Sequence, residues 1–547
     1  MFEEIINKHK TVFSILFLSV IFYFIFFHNL GVYPLMDIDE TRYVLMSKDM
    51  LKNHDFLTLY LNGEYFFEKP PLYFWIECLF FKLFGFVNEF SARFPAALSG
   101  TILCFLLYFT GKKFISNTYG IISSLVLATC LEFTILSKYA ILDIYLCLFT
   151  GLSVFSYFWT HIVKENRKKY CWWLFYLFCA LAVMAKGIPG FVIPAGTVFF
   201  TALYTKTIKE VFKPLYLIPG IILFLLITLP WHIIMIKMHP ANPSFFHEYV
   251  VKHHIQRFVN SNELGRKQPW FYFILTLAWG LVPWIASLAA VFISKIKNIS
   301  LKSFSCDYKD KAKLFFMMNA IAAIFTLVFF SSSSTKLITY ILPIYPFTAC
   351  VIGYIWTEYI ENEKNKKAID ISVFIFSGLC ILCGFSAIFM QYFLPAEIYN
   401  DIKSIQWFSV LSVLLTQIPA VVYLIKRNRK AVFACYVGFI LILSAFGTTL
   451  FYKLDYSFGQ NDLMNYTKYA KENNLKLYAI NTGRRFSLNY YGNSKNVFYI
   501  TDETYKALPE PSENSVIVIR IKDYNKHYAE MKGYTVIETG RKYILLK

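Results

Sequence analysis

Charge is scarce in this chain of 547 residues: Asp, Glu, Lys and Arg make up only 16% of it. Soluble proteins carry about 25%, so an ordinary cytosolic enzyme is excluded. Eleven cysteines occur, but none beyond Cys435, and nearly all lie in or beside apolar stretches, so no disulfide framework is implied. Cys380 and Cys383 form a CxxC without further thiols or histidines nearby, which reads as packing. No Walker or Rossmann glycine pattern is present, so no nucleotide cofactor is expected. The net charge of +19 comes in short clusters between apolar runs and forms no continuous basic face, which argues against nucleic acid. What abounds is apolar and aromatic: 57% hydrophobic residues, with 57 Phe and 39 Tyr. Runs such as TVFSILFLSVIFYFIFF at 11–27 are of the length a membrane-spanning helix needs, and the chain reads as a polytopic α-helical membrane protein.

About thirteen spans are expected, near 11–30, 93–111, 117–136, 141–161, 171–185, 188–204, 215–236, 270–293, 314–332, 337–357, 369–390, 406–425 and 431–451. The first is too long for a signal-peptide core and lacks a small-residue cleavage site, so it reads as an anchor. With the N-terminus cytoplasmic, KENRKK at 164–169, EKNKK at 363–367, KRNRK at 426–430 and the other basic clusters fall inside, as the positive-inside rule requires. Residues 1–451 then form a transmembrane domain with a large outer loop at 31–92. Residues 452–547 form an outer, periplasmic α/β domain with strands in LKLYAI, NVFYI, SVIVIR and YTVIE. The segment 71–86 is apolar but short, opens with two prolines and contains Glu77 and Lys82, so an amphipathic interfacial helix is expected there.

The ionisable residues outside the basic clusters collect on the outer side. MDIDETRY at 36–43 offers Asp37, Asp39 and Glu40 beside Arg42 and Tyr43. EYFFEKPP at 64–71 fixes Glu68 and Lys69 against two prolines that stiffen the backbone. Asp143 stands at the mouth of a span, where an ionised carboxylate costs about 2.5–3.5 kcal/mol unless it has a partner or a purpose. HEYVVKHHIQRF at 247–258 puts His254 and Arg257 on one helix face at i, i+3. Lys336 and Tyr340 lie one turn apart in TKLITYILPIYP. Each of these has a plain alternative as a solvated loop charge, a snorkelling lysine or an aromatic-belt tyrosine. As a set, Arg42, Lys69, Arg257 and Lys336 bring four cations to one face, which suits a phosphate. At an outer face the available phosphate is lipid-linked. The histidine spacing is no recognised metal signature.

The strings DETRY, FEKPPLYFW, Asp143 after the third span, HHIQRF and TKLITYILPIYP together resemble the bacterial lipid A aminoarabinose transferase family. That family is of the protein mannosyltransferase-like, C-type glycosyltransferase fold. The likeness runs in order over roughly the first 350 residues. It implies transfer of a sugar from undecaprenyl phosphate, a polyprenyl-phosphate-linked donor, to a lipid A phosphate at the outer face of the bacterial inner membrane. By this resemblance Asp39 and Asp143 match acidic positions at the reaction centre, and Arg42, Tyr43 and Lys69 match the donor-phosphate region. Arg257, Lys336 and Tyr340 match polar positions lining the cavity, and Glu68 and His254 match positions able to hold a divalent metal ion. Two departures bear on the sugar: Phe66 replaces a tyrosine in YFEKPP, and His253 replaces a glutamate before HIQRF. Aminoarabinose and a related amino sugar such as galactosamine both remain open.

An acceptor phosphate is already ionised at neutral pH and needs no strong base, whereas a protein hydroxyl would. A protein O-glycosyltransferase using Asp39 as base is therefore the first alternative. A lipid-phosphate transporter without chemistry is the second, though the paired repeats and broken helices expected of one are missing from the sequence.

Overall fold

The computed structural model describes residues 9–241, 243–256, 268–296, 310–393, 396–483, 485–492, 496–500, 512, 514–526 and 533–547. Eight helices among them are long and apolar enough to cross a membrane: Lys10–Phe27, Glu89–Phe114, Pro214–Met238, Lys311–Ser332, Ile338–Asn362, Lys366–Ala387, Gln406–Ile425 and Arg429–Gly447. Shorter apolar helices at Asn117–Ala128, Asp143–Trp159, Pro189–Tyr204 and Ile285–Ile296 fall on further expected spans. Starts are set locally: Ser116 caps the helix from Asn117 by accepting from the Tyr119 amide at 3.1 Å, and Pro189 and Pro214 open theirs.

The chain divides into two compact units, the first comprising 1–28, 67–73 and 96–445, the second 29–66, 74–95 and 446–547. In the first, the Asp143–Trp159 helix packs on Glu165–Lys186, Pro189–Tyr204 and the short 3-10 helix Ile338–Ile344. Helices Asn117–Ala128 and Tyr345–Asn362 also pack together, closely enough that a Cβ on Gly353 would lie 2.8 Å from Ser123 Cα. Trp172, Trp284 and Trp356 are fully buried, while Leu215, Ile218, Ile222 and Leu226 of the Pro214–Met238 helix face outward, the inverse of a water-soluble surface.

The second unit holds the Asp39–Asn53 helix, a hairpin of β1 (Tyr60–Leu61) and β2 (Glu64–Tyr65), and a five-stranded sheet. The sheet is built of β3 (Lys476–Ile480), β4 (Val497–Ile500), β5 (Ser515–Arg520), β6 (Val536–Thr539) and β7 (Tyr543–Leu546), in the order β4-β3-β5-β7-β6. Strand β3 runs parallel to β4 and β5, with Leu477 opposite Val497 and Val516, and β7 is antiparallel to both β5 and β6. Alternation divides the residues: Leu477, Ala479, Val516, Val518 and Leu545 pack on Leu463, Tyr466 and Ala470 of the Gln460–Glu472 helix. Ile480, Ile517, Ile519, Ile544 and Leu546 form the opposite layer. The four expected strands are present, and β7, which lies inside the sheet, is a fifth that strand patterning does not pick out. Segment 71–86 is helical over Leu72–Phe84, with Leu79 and Leu83 exposed.

Candidate functional site

The acidic motif at 36–43 separates into three roles. Asp37 accepts from the Ser487 amide at 2.9 Å and from the hydroxyls of Ser487 and Thr41, both at 2.5 Å. Glu40 is fully buried and takes a two-pronged bond from Arg93, Nε to Oε1 at 2.9 Å and Nη2 to Oε2 at 2.8 Å. Arg93 also donates to the carbonyls of Leu30, Tyr33 and Pro34, so both carboxylates hold the chain in place. Asp39 is the accessible one, 56% exposed and paired to Arg42 at 2.6 Å. Arg42 Nη2 donates to the Tyr43 hydroxyl at 3.0 Å, and the guanidinium lies over the rings of Tyr43, 4.8 Å away, and Phe66, 5.6 Å away. The phenylalanine that departs from the family pattern thus sits directly under this arginine.

In the first unit, Glu68 and Lys69 lie on a segment anchored at both ends. Phe67 packs its ring on His239 at 5.0 Å and on Phe245 at 5.4 Å, and the Tyr73 hydroxyl donates to the Ala140 carbonyl at 2.9 Å. Ala140 lies in the turn that leads into the Asp143–Trp159 helix, so this bond ties the EKPP segment to the approach to Asp143. Asp143, in the first helical turn and buried, forms an ion pair with Lys186 at the C-terminal turn of the Glu165–Lys186 helix. The Lys186 ammonium stands 4.4 Å from the centre of the Tyr340 ring. Lys336 is buried and donates to the carbonyls of Gln268 and Ser333, and burial lowers its pKa from the ordinary lysine value. It therefore does not reach out along the surface as a snorkelling lysine would.

Lys186 was not among the residues the sequence singled out. It ends an apolar span before Gly187, and on the topology inferred above it lies on the same side as Asp143, which is the signal by which it is legible. Glu132 is likewise new: fully buried, it accepts from the Tyr345 hydroxyl at 2.6 Å, and Gly280 makes room for the pair, since a Cβ there would meet that hydroxyl at 1.9 Å. His254 falls in Phe246–Gln256, which is wound as a π-helix and not with the α-helical spacing expected. Its side chain and the whole of Arg257 lie outside the described residues. Among the described residues no group of three or more His, Cys, Asp or Glu could hold a metal ion. Asp39, Arg42 and Tyr43 belong to the second unit, and Glu68, Lys69, Asp143, Lys336 and Tyr340 to the first.

Residues 11–241 match the model of the dolichyl-phosphate-mannose-protein mannosyltransferase family. A curated undecaprenyl phosphate-alpha-4-amino-4-deoxy-L-arabinose arabinosyl transferase of Enterobacter sp. (strain 638) is 30% identical over 349 residues, 63% of this chain and 59% of the relative. This chain is similar in sequence to the aminoarabinose transferases. The transferase of the same name from Pectobacterium atrosepticum is 27% identical over 381 residues, 68% of this chain and 65% of its own length. The chain thus covers less than two thirds of either relative. The crystal structure of ArnT from Cupriavidus metallidurans bound to undecaprenyl phosphate shares the fold, with a TM-score of 0.76 at 19% identity over 98% of both chains. The family likeness read from DETRY, FEKPPLYFW and TKLITYILPIYP is borne out, and so is the helical membrane fold with a C-terminal sheet.

Proposed function

We propose that this chain transfers an amino sugar, aminoarabinose or a related sugar such as galactosamine, from undecaprenyl phosphate to a lipid A phosphate at the periplasmic face of the bacterial inner membrane. The observation that carries this reading is the buried Asp143–Lys186 pair against Tyr340, tied through Tyr73 to the EKPP segment. In the transfer, an acceptor phosphate oxygen attacks the anomeric carbon and the bond from that carbon to the lipid phosphate breaks. The departing phosphate takes the electron pair. Lys69 and Lys336 are assigned to the phosphate as its charge grows, which is electrostatic stabilisation of the leaving group, and the family resemblance adds Arg42 and Arg257 to that role. Asp143 holds Lys186 and stabilises positive charge developing on the sugar ring. Asp39 orients Arg42 and faces the amino group of the sugar, and Tyr43 positions the guanidinium. The N-terminus is placed in the cytoplasm, with residues 31–92 and 452–547 outside.

The test is mass spectrometry of lipid A from cells with and without the gene, joined to transfer by the purified protein from undecaprenyl-phosphate aminoarabinose. Unchanged lipid A in both arms would overturn the reading. The match to protein mannosyltransferases keeps a second reading, a protein O-glycosyltransferase in which Asp39 deprotonates a Ser or Thr. A phosphate acceptor titrates near pH 6, so Asp39→Asn should lower transfer without reshaping its pH dependence above neutrality. With a hydroxyl acceptor, the same variant should recover rate as pH rises from 6.5 to 9.5. Rescue at high pH on a peptide acceptor would favour the second reading.

A further inference from the structure

The second unit contains a cavity of about 730 Å³ that none of the residues assigned above lines. That volume is in the range of small-molecule sites, about 300–1,000 Å³. Lys48 and Lys52 enter it from one face of the Asp39–Asn53 helix at i, i+4, and Lys471 enters from the last turn of the Gln460–Glu472 helix. Asp49 is the one acidic side chain in the lining, which leaves an excess of positive charge. Among the described residues no ion pair engages any of the three ammonium groups. Lys48 is drawn inward, donating to the Tyr490 carbonyl at 3.3 Å with its ammonium 5.1 Å from the Tyr490 ring centre. Burial first, and then the charge of Lys471, hold its pKa below the ordinary lysine value. Cations crowded in this way, from elements more than 400 positions apart, oppose one another until an anion joins them.

The rest of the lining is rich in asparagine, including Asn53, Asn62 and Asn474, whose amides both donate and accept. Such groups match sugar hydroxyls, whereas the lysines act as point charges suited to a phosphate. We propose that this cavity binds a phosphorylated saccharide. The same chemistry is presented by a free sugar phosphate and by the phosphorylated sugar headgroup of a lipid.

The test is isothermal titration of the full-length purified protein with glucosamine 1-phosphate, glucosamine and inorganic phosphate. Glucosamine 1-phosphate is expected to bind at least tenfold more tightly than either of the others, and more weakly as salt is raised. Lys52 and Lys471 are exposed, so Lys52→Gln/Lys471→Gln should leave the fold intact and weaken binding at least tenfold, and Lys48→Met should do the same. Absence of binding to the native protein, equal affinity for inorganic phosphate, or unaltered binding in the double variant would each overturn the proposal. Repeating the titration in nanodiscs with and without lipid A separates the sources: competition by lipid A supports the lipid headgroup, and its absence supports the soluble sugar phosphate.

Discussion

The Asp143–Lys186 pair shows how much one side chain alters the reading of another. A lone carboxylate at a span mouth invites a catalytic role by its cost alone, but here a buried ammonium answers that cost. Lys186→Ala would leave Asp143 buried without its cation, and breaking a buried pair costs about 3–5 kcal/mol. The prediction is that Lys186→Ala loses both activity and thermal stability, whereas Asp143→Asn/Lys186→Met regains the stability and stays inactive. Activity in the double variant would reduce the pair to scaffolding. Lys48 gives a prediction of opposite sign. Its pKa is lowered in the folded chain, so between that lowered value and about 10.5 the unfolded chain holds a proton the folded one has released. The contribution of this group to stability therefore rises with pH across that window and is at its worst below it. Asp49, Lys52 and Lys471 face the same cavity, and burial raises the Asp49 pKa above the ordinary carboxylate value. Lys48→Met should accordingly raise the melting temperature at pH 7.5, with the gain shrinking towards pH 10. A fall in melting temperature would show that the native lysine is held by something stronger than the crowding is costly.

At the scale of elements, the anchored EKPP segment and the C-terminal sheet depend on contacts far apart in sequence. Tyr73→Phe deletes the hydrogen bond from the Tyr73 hydroxyl to the Ala140 carbonyl and should cost only about 1 kcal/mol in stability. Its effect on transfer should be larger than a stability change of that size would produce, because misplacement of a reacting group is penalised steeply. Equal losses in melting temperature and rate would make the bond merely structural. In the sheet, β7 lies between β5 and β6 and contributes Leu545 and Leu546 to opposite layers. A chain ending at Lys542 should lose the second unit's protease resistance altogether, because β5 and β6 would each be left with an unpaired edge. A short charged strand at a true sheet edge would tolerate such truncation.

For the whole molecule, the inferred topology places Glu64 and Glu472, both exposed, outside the cell membrane. Cysteines introduced at these positions should react with a membrane-impermeant maleimide in intact spheroplasts above the background of the parent protein. A cysteine at Lys164, the first residue of the basic cluster at 164–169, should react only after lysis. Protection of Glu64→Cys or Glu472→Cys in spheroplasts would overturn the orientation.

Sequence by itself determined what depends on composition and local order: the helical membrane character, the positions of the apolar helices, four of the five strands of the C-terminal sheet, and the motifs that mark the family. These are legible because span length, strand alternation and charge asymmetry are properties of contiguous residues. Tertiary structure alone decided which of the clustered charges have other duties. Asp37 and Glu40 stand beside Asp39 in one motif, yet Ser487 and Arg93 claim the first two and leave Asp39 exposed. Lys186 became a site residue only through the packing of its helix on the helix that begins at Asp143, and β7 became an interior strand only through its register with β5. The physical reason is common to all three: a side chain's role is fixed by the partner that removes it from water, and that partner is chosen by folding, not by its neighbours in the chain.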